Sequence, residues 1–354
     1  MGFDARAARA AWSVFLVALL LATVYSIRRI LLVFVLAILF AYLLSPIVNL
    51  LDRLLPSRRS RAYSLALVYA LLVGVLIAGG FLLGSKAADE ASALAAGYPK
   101  IVDNLKQALV DPHPAWLHPI KQYILAQINE QASSFGTAVV PVMRQLSGHA
   151  ASVLSSAAFV VLIPILSFFF LKDGRELKEH ILSRAGIRRA LWEDIATDLH
   201  VLLGQFIRAI VLLSAATLTA YTIAFTIIGL PYGVLLACMA ALLEFIPVVG
   251  PVAATAAILL VTAFSGAASV FVVIGFLVVY RIFQDYGLSP RLMGAGVALH
   301  PLVVIFGALA GEEVAGIPGM FLSVPVLAAL RVVYSRIRKA RVAPAPEPAT
   351  VQGP

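Results

Sequence analysis

Apolar runs and short charged clusters alternate along this chain. The runs cover roughly residues 10–27, 30–51, 62–85, 149–171 and 209–229. Each is close to the ~20 residues that carry an α-helix through a hydrocarbon core about 30 Å thick. The pattern predicts five membrane crossings here. They are divided by a tight break at Arg28–Arg29, by a loop holding Arg53, Arg58, Arg59 and Arg61, and by two longer polar segments. The fifth run stops at Gly229-Leu230-Pro231, a helix-ending combination.

Beyond Gly229 the apolar pieces shorten. Those at 232–247, 252–264 and 268–284 are divided by Ile246-Pro247-Val248-Val249-Gly250-Pro251 and by Ser265-Gly266. After the polar stretch Arg281 to Arg291, pieces at 296–311 and 317–334 are divided by Gly311-Glu312-Glu313 and by Gly316-Ile317-Pro318-Gly319. Pro and Gly free backbone groups that lipid cannot satisfy, so such breaks belong against protein or a wet cavity. The two breaks resemble each other, and paired interruptions point to a transporter's binding site. Re-entrant hairpins and broken spans fit both interruptions equally well.

Two segments are amphipathic rather than apolar. In residues 86–148, Leu94, Tyr98, Ile101, Leu105 and Leu109 recur at helical spacing, as do Ile120, Ile124, Ile128 and Phe135. Pro99, Pro112, Pro114 and Pro119 interrupt them, which predicts two or three helices lying on the outer face or packing on one another. In residues 172–208, Leu191, Ile195, Leu199, Leu202 and Phe206 share one face of a helix, opposite Glu193, Asp194, Thr197 and Asp198. Such a helix lies in the membrane interface or packs under the bundle.

Composition agrees. Hydrophobic residues make up 61% and charged residues 13%, against about 45–50% and about 25% in soluble domains. The net charge of +9 is read as cytoplasmic anchoring by Lys and Arg, not as a nucleic-acid footprint. The arginines at 53–61, the basic residues of 172–208 and Arg331 to Arg341 place those parts inside and both termini in the cytoplasm. The first run is read as a retained signal-anchor, because a second apolar run follows without a small-residue cleavage site. The organisation expected is spans 1–3 in residues 1–85, an extracytoplasmic helical region at 86–148 and span 4 at 149–171. A cytoplasmic helical region at 172–208, a transport bundle with broken segments at 209–334 and a disordered tail at 335–354 follow. The fold class is all-α: a polytopic membrane protein of about eight spans.

The candidate chemistry is sparse. Between Arg208 and Arg281 stand 72 residues with one charged side chain, Glu244. It directly precedes the first Pro-Gly break, about 20 Å deep if its helix starts at the surface near Pro231. A carboxylate held in the bilayer centre costs about 2.5–3.5 kcal/mol on insertion scales. It either binds a proton, cation or polar substrate, or stays protonated and caps backbone N–H groups freed at the break. Pro247 and Gly250, with Pro318 and Gly319 in the second break, are the other candidate binding positions. Arg281, Gln284 and Asp285 form a polar turn in which Arg281 and Asp285 are i, i+4 neighbours, and Arg291 follows. These four are candidate gate residues, with an interfacial ion pair as the plainer reading. Cys238 is the only cysteine and the six histidines form no i, i+4 pair, so no metal or cofactor site is expected. The His-Glu-x-x-His, Gly-x-Ser-x-Gly and phosphate-binding Gly-x-x-x-x-Gly-Lys patterns are missing from the sequence. No enzyme is expected, and any pumping draws on an ion or substrate gradient.

Several stretches together resemble one family. They are Phe168-Phe169-Phe170-Leu171-Lys172-Asp173-Gly174, Gly204-Gln205, Gly229-Leu230-Pro231-Tyr232, Phe245-Ile246-Pro247-Val248-Val249-Gly250-Pro251, Ser289-Pro290-Arg291-Leu292-Met293-Gly294, Leu299-His300-Pro301-Leu302 and Gly316-Ile317-Pro318-Gly319 with Pro325. In this order they resemble the autoinducer-2 exporter family of bacterial permeases. The resemblance implies an eight-span inner-membrane protein that exports small molecules, autoinducer-2 being the namesake substrate. From other members it implies exchange of sodium or lithium for protons. The family's Ile-Pro-aromatic-Gly carries Tyr where Val248 stands. The reading is a secondary transporter exporting a small polar solute by alternating access; a sodium/proton antiporter and a non-transporting scaffold are the alternatives. The expected partners are a small-molecule or ion substrate, membrane lipid and further copies of the chain, and no nucleic acid.

Overall fold

Lipid offers a backbone N–H or C=O no partner, so each apolar run closes its own hydrogen bonds and becomes a helix. The computed structural model describes residues 5–54, 61–110, 154–184, 186–264, 270–293 and 299–342, and these are helical apart from short turns. The expected outer helices beyond residue 110, the Ser265-Gly266 break and the tail beyond residue 342 lie outside the described residues.

Eleven α-helices follow one another among the described residues: α1 (Ala5–Ser26), α2 (Arg28–Leu54), α3 (Arg61–Gly79), α4 (Ser85–Val110), α5 (Leu154–Ser183), α6 (Arg189–Ile228), α7 (Gly233–Leu243), α8 (Val249–Phe264), α9 (Val270–Ile282), α10 (Ser289–Met293) and α11 (Pro301–Val342). A π-helical turn at Gly80–Gly84 joins α3 to α4, and another at Phe283–Leu288 joins α9 to α10. Five stretches are long and apolar enough to cross a membrane: Arg28–Leu54, Ala62–Gly97, Arg189–Ile228, Val270–Leu292 and Pro301–Ala340. Shorter apolar helices, α7 and α8 among them, accompany these five. The chain is a polytopic α-helical membrane protein.

Helix ends follow the polarity steps only in part. The tight break expected at Arg28–Arg29 falls at the junction of α1 and α2, a one-residue turn at Ile27. The ladder continues across it, with the Ile27 N–H donating to the Thr23 carbonyl and the Leu31 N–H to the Ile27 carbonyl, both at 3.0 Å. Arg28 lies over the Tyr25 ring, 4.1 Å from its centroid. Lys172 to Arg175 lie within α5, and the amphipathic stretch from Trp192 runs straight into the fifth apolar run as one 40-residue helix, α6. Lys, Arg and Glu are good helix formers, so charge alone does not end a helix that has left the apolar zone. A backbone change does. Gly229, with φ of 72°, closes α6 as its N–H and that of Leu230 turn back to Thr226 and Phe225 carbonyls.

Three apolar clusters hold the bundle. Leu44, Val48, Leu65, Val68 and Leu171 join α2, α3 and α5. Leu39, Ile207, Ile210 and Leu322 join α2, α6 and α11. Phe225, Leu236, Ala237, Ile258, Val273 and Leu277 join α6, α7, α8 and α9. Side chains such as Phe271, Ile227 and Phe81 are 80% or more exposed, as suits a surface wetted by acyl chains.

Both interrupted segments are hairpins. In the first, α7 and α8 pack on each other. At 11 and 16 residues they are about 16 and 24 Å long, too short for a core about 30 Å thick. A Cβ on Gly250 would collide with the Leu243 carbonyl, so only glycine lets the two arms cross there. In the second, Ala315 and Gly316 leave helical geometry inside α11. The φ of 63° and ψ of −147° at Gly316 lie in a region open essentially to glycine alone. The chain then doubles back: Gly311 lies against Gly319, and Gly307 against Ser323 and Leu327. In a straight helix Gly307 and Leu327 would stand about 30 Å apart. The long stretch 301–340 is thus two antiparallel limbs, 301–314 and 317–342, not one crossing.

Candidate functional site

The arms of the first hairpin meet around Glu244. The Glu244 N–H donates to the Ala240 carbonyl, and the N–H groups of Phe245 and Ile246 turn back to Leu242 and Leu243, tightening the helix end. Pro247 follows, and Val248 carries a φ of 64°. The Val249 N–H spans it to reach the Pro247 carbonyl at 2.7 Å. A three-residue turn with positive φ at its centre is rare and strained, more so on a β-branched residue. The backbone strain therefore lies four residues from the buried acid, in the pattern typical of functional sites.

Glu244 is only 9% exposed. Its Oε1 accepts a short hydrogen bond from the Gln284 Nε2, and its Oε2 lies 3.5 Å from the Thr217 Oγ1. Thr217 in turn meets the Tyr280 hydroxyl at 3.0 Å. All three partners are buried, and Tyr221 packs edge-on against the Tyr280 ring. The Ser214 Oγ donates to the Ala241 carbonyl at 2.7 Å and fixes the last turn of α7 against α6. The result is an oxygen-rich knot tying α6, α7 and the α9 end of the bundle. Among the described residues Glu244 has no ion-pair partner. The nearby Arg281 Nε donates to Asp285 instead, at 2.8 Å.

The four expected gate residues separate. Gln284 continues the buried stripe Val273, Leu277, Tyr280 and turns inward to Glu244. Arg281 and Asp285 lie on the neighbouring stripe, paired and about half exposed. Arg291 is exposed on α10 and makes no hydrogen bond or ion pair among the described residues. Pro247 and Gly250 shape the turn beside the acid. Pro318 and Gly319 start the returning limb of α11, where a Cβ on Gly319 would strike the Gly311 carbonyl. The two break regions come together through Phe245, whose ring meets that of Phe321 edge-on at 5.6 Å. Sequence reasoning missed Thr217 and Tyr280. The signal for Tyr280 was its place in the helical stripe 273, 277, 280, 284; Thr217 is one of four threonines between residues 209 and 228, and nothing in the sequence singles it out.

Depth along α6 orders the hairpins. Phe225, near the Gly229 end, touches Gly233 at the start of the first hairpin. Arg336, late in the second, pairs with Asp194 and Asp198 near the start of α6. Between these levels Phe321 packs on Phe206. The hairpins thus enter from opposite ends of α6 and their tips meet between.

Residues 14–339 match the AI-2E family transporter. The chain is 26% identical to YueF of Bacillus subtilis (strain 168) over 84% of its own length and 81% of YueF. It is 26% identical to MT0215 of Mycobacterium tuberculosis (strain CDC 1551 / Oshkosh), over 83% and 79%. It is also 26% identical to PerM of Escherichia coli (strain K12), over 84% of each. The provisional names of these relatives are those of transport proteins and a permease. A profile match that takes in both hairpins and the buried acid between them makes this chain a member of the AI-2E family of membrane transporters.

Proposed function

We propose that the chain is a secondary transporter of the bacterial inner membrane that exports a small polar solute by alternating access, with Glu244 as the coupling or binding acid. The observation that carries this is a buried carboxyl at the tip of a hairpin, held by a hydrogen-bonding amide and a hydroxyl and, among the described residues, by no ion pair. Such an acid exchanges a proton or accepts donors from a solute at little structural cost, since Gln284 and Thr217 rotate rather than unfold. Two hairpins that meet tip to tip supply the two barriers that alternating access requires. Movement of either tip opens the knot to one side.

The arginines at 53–61 and the basic end of α11 set the cytoplasmic side. On that assignment the first hairpin enters from outside, the second enters from the cytoplasm, and the carboxy terminus is inside. Arg281 and Asp285, one helical step from Gln284, form the gate of this reading. The knot's oxygens suit a small polar solute such as the family's namesake, autoinducer-2. The same oxygens suit a proton or a small cation, so a sodium(lithium)/proton antiporter is the second reading.

Transport by the purified protein in liposomes tests both, with an imposed proton or sodium gradient, a panel of small polar metabolites and a trapped pH dye. Solute flux driven by either gradient supports export. Proton flux that follows sodium or lithium alone supports the antiporter. Flux of neither kind removes transport and favours a scaffold.

A further inference from the structure

The first turn of α7 needs acceptors that its own neighbourhood lacks. A helix begins with N–H groups that have no intrahelical partner, and Tyr232, which precedes α7 in the left-handed conformation, offers no side-chain cap. The acceptor comes from 145 residues earlier: the Glu90 Oε2 takes the Leu235 N–H at 2.8 Å. Two helical turns along the same face of α4, Gly97 sits against the same hairpin, and a Cβ there would lie 3.1 Å from the Tyr232 hydroxyl. α4 packs on both α7 and α8, and it continues the spanning helix α3 through the π-turn at Gly80–Gly84. A carboxylate at a helix N-terminus is also favoured by the helix dipole.

We propose that Glu90 is a positioning residue that pins the start of the first hairpin, with α4 acting as a strap across it. Among the described residues Glu90 makes no hydrogen bond to the Glu244 knot. It acts through α7, whose far end carries Glu244, so the strap sets how far the acid sits below the hairpin's start. Nothing else in the first turn of α7 ties it to α4 by a hydrogen bond among the described residues. A side chain of the same shape without an acceptor oxygen therefore frees the hairpin's start.

The chain contains its own reporter. Cys238, the only cysteine, lies on α7 one turn beyond Leu235 and is half-buried. The experiment compares the rate at which N-ethylmaleimide labels Cys238 in the full-length protein, reconstituted in liposomes, for wild type, Glu90→Leu and Glu90→Gln. The Leu variant should label more than roughly threefold faster, the scale of one net hydrogen bond, and Gln, which keeps an acceptor oxygen, should stay below that. Where the Leu variant does not insert, Glu90→Ala takes its place with the same expectation. A Leu or Ala variant that labels at the wild-type rate or slower, or a Gln variant as fast as Leu, overturns the proposal. The link to solute movement rests on the transport reading above. The labelling itself needs no substrate, so failure of transport and failure of the strap are told apart.

Discussion

Glu244 is held by the Gln284 amide on one oxygen and the Thr217 hydroxyl on the other. Gln284→Leu removes the amide donor while preserving shape, and transport in liposomes should fall roughly tenfold with insertion unchanged, the scale of a lost hydrogen bond to a carboxylate. Unchanged flux would remove Gln284 from the site. Val248 is the opposite case, a residue whose backbone works against it. Val248→Gly relieves the left-handed strain and should stabilise the folded protein by about 1 kcal/mol, read as a higher melting temperature in detergent; a lower one would mean that the Val248 side chain is needed. The buried place of Glu244 was legible in the sequence because it is the one acid in a long apolar stretch. Thr217 was not, because a threonine in lipid satisfies itself on its own helix and leaves no pattern. Gln284 was legible as polar but not as inward-facing, since grouping it with Arg281 and Asp285 ignored the one-residue step that puts it on another stripe.

The hairpins are the elements on which the site depends, and close glycine contacts hold them. Gly319→Val forces a branched side chain into the Gly311 carbonyl and should cost at least about 1–3 kcal/mol, the usual range for overpacking. A melting temperature equal to wild type would show that the limbs of α11 do not cross there. Pro and Gly were visible in the sequence at both breaks, but a break alone does not say whether the chain turns back. That depends on Gly250, Gly311 and Gly319 lying where two backbones touch, a distance no spacing rule supplies. Two helices outrun their apolar runs for a related reason. Lys172 and Trp192 mark where polarity changes, whereas helices end where the backbone cannot continue, as at Gly229.

Across the whole molecule the decisive relation is that the two hairpins meet tip to tip. With Cys238→Ser as background, Phe245→Cys combined with Phe321→Cys should cross-link through a short bismaleimide, seen by mass spectrometry of the joined peptides. No cross-link in a protein that labels at both sites would separate the tips. At the other end of the bundle Arg336 clamps α11 to α6 through Asp194 and Asp198, and Arg336→Ala should speed proteolysis of the residues that follow. The class of fold was legible from composition and run length alone. The opposed arrangement was not, because it rests on contacts between segments as distant as Phe206 and Phe321. The most direct test of the account is gradient-driven flux through purified protein in liposomes, wild type against Glu244→Gln. The account predicts that the Gln variant inserts normally and carries nothing above empty vesicles. Flux equal to wild type would contradict it.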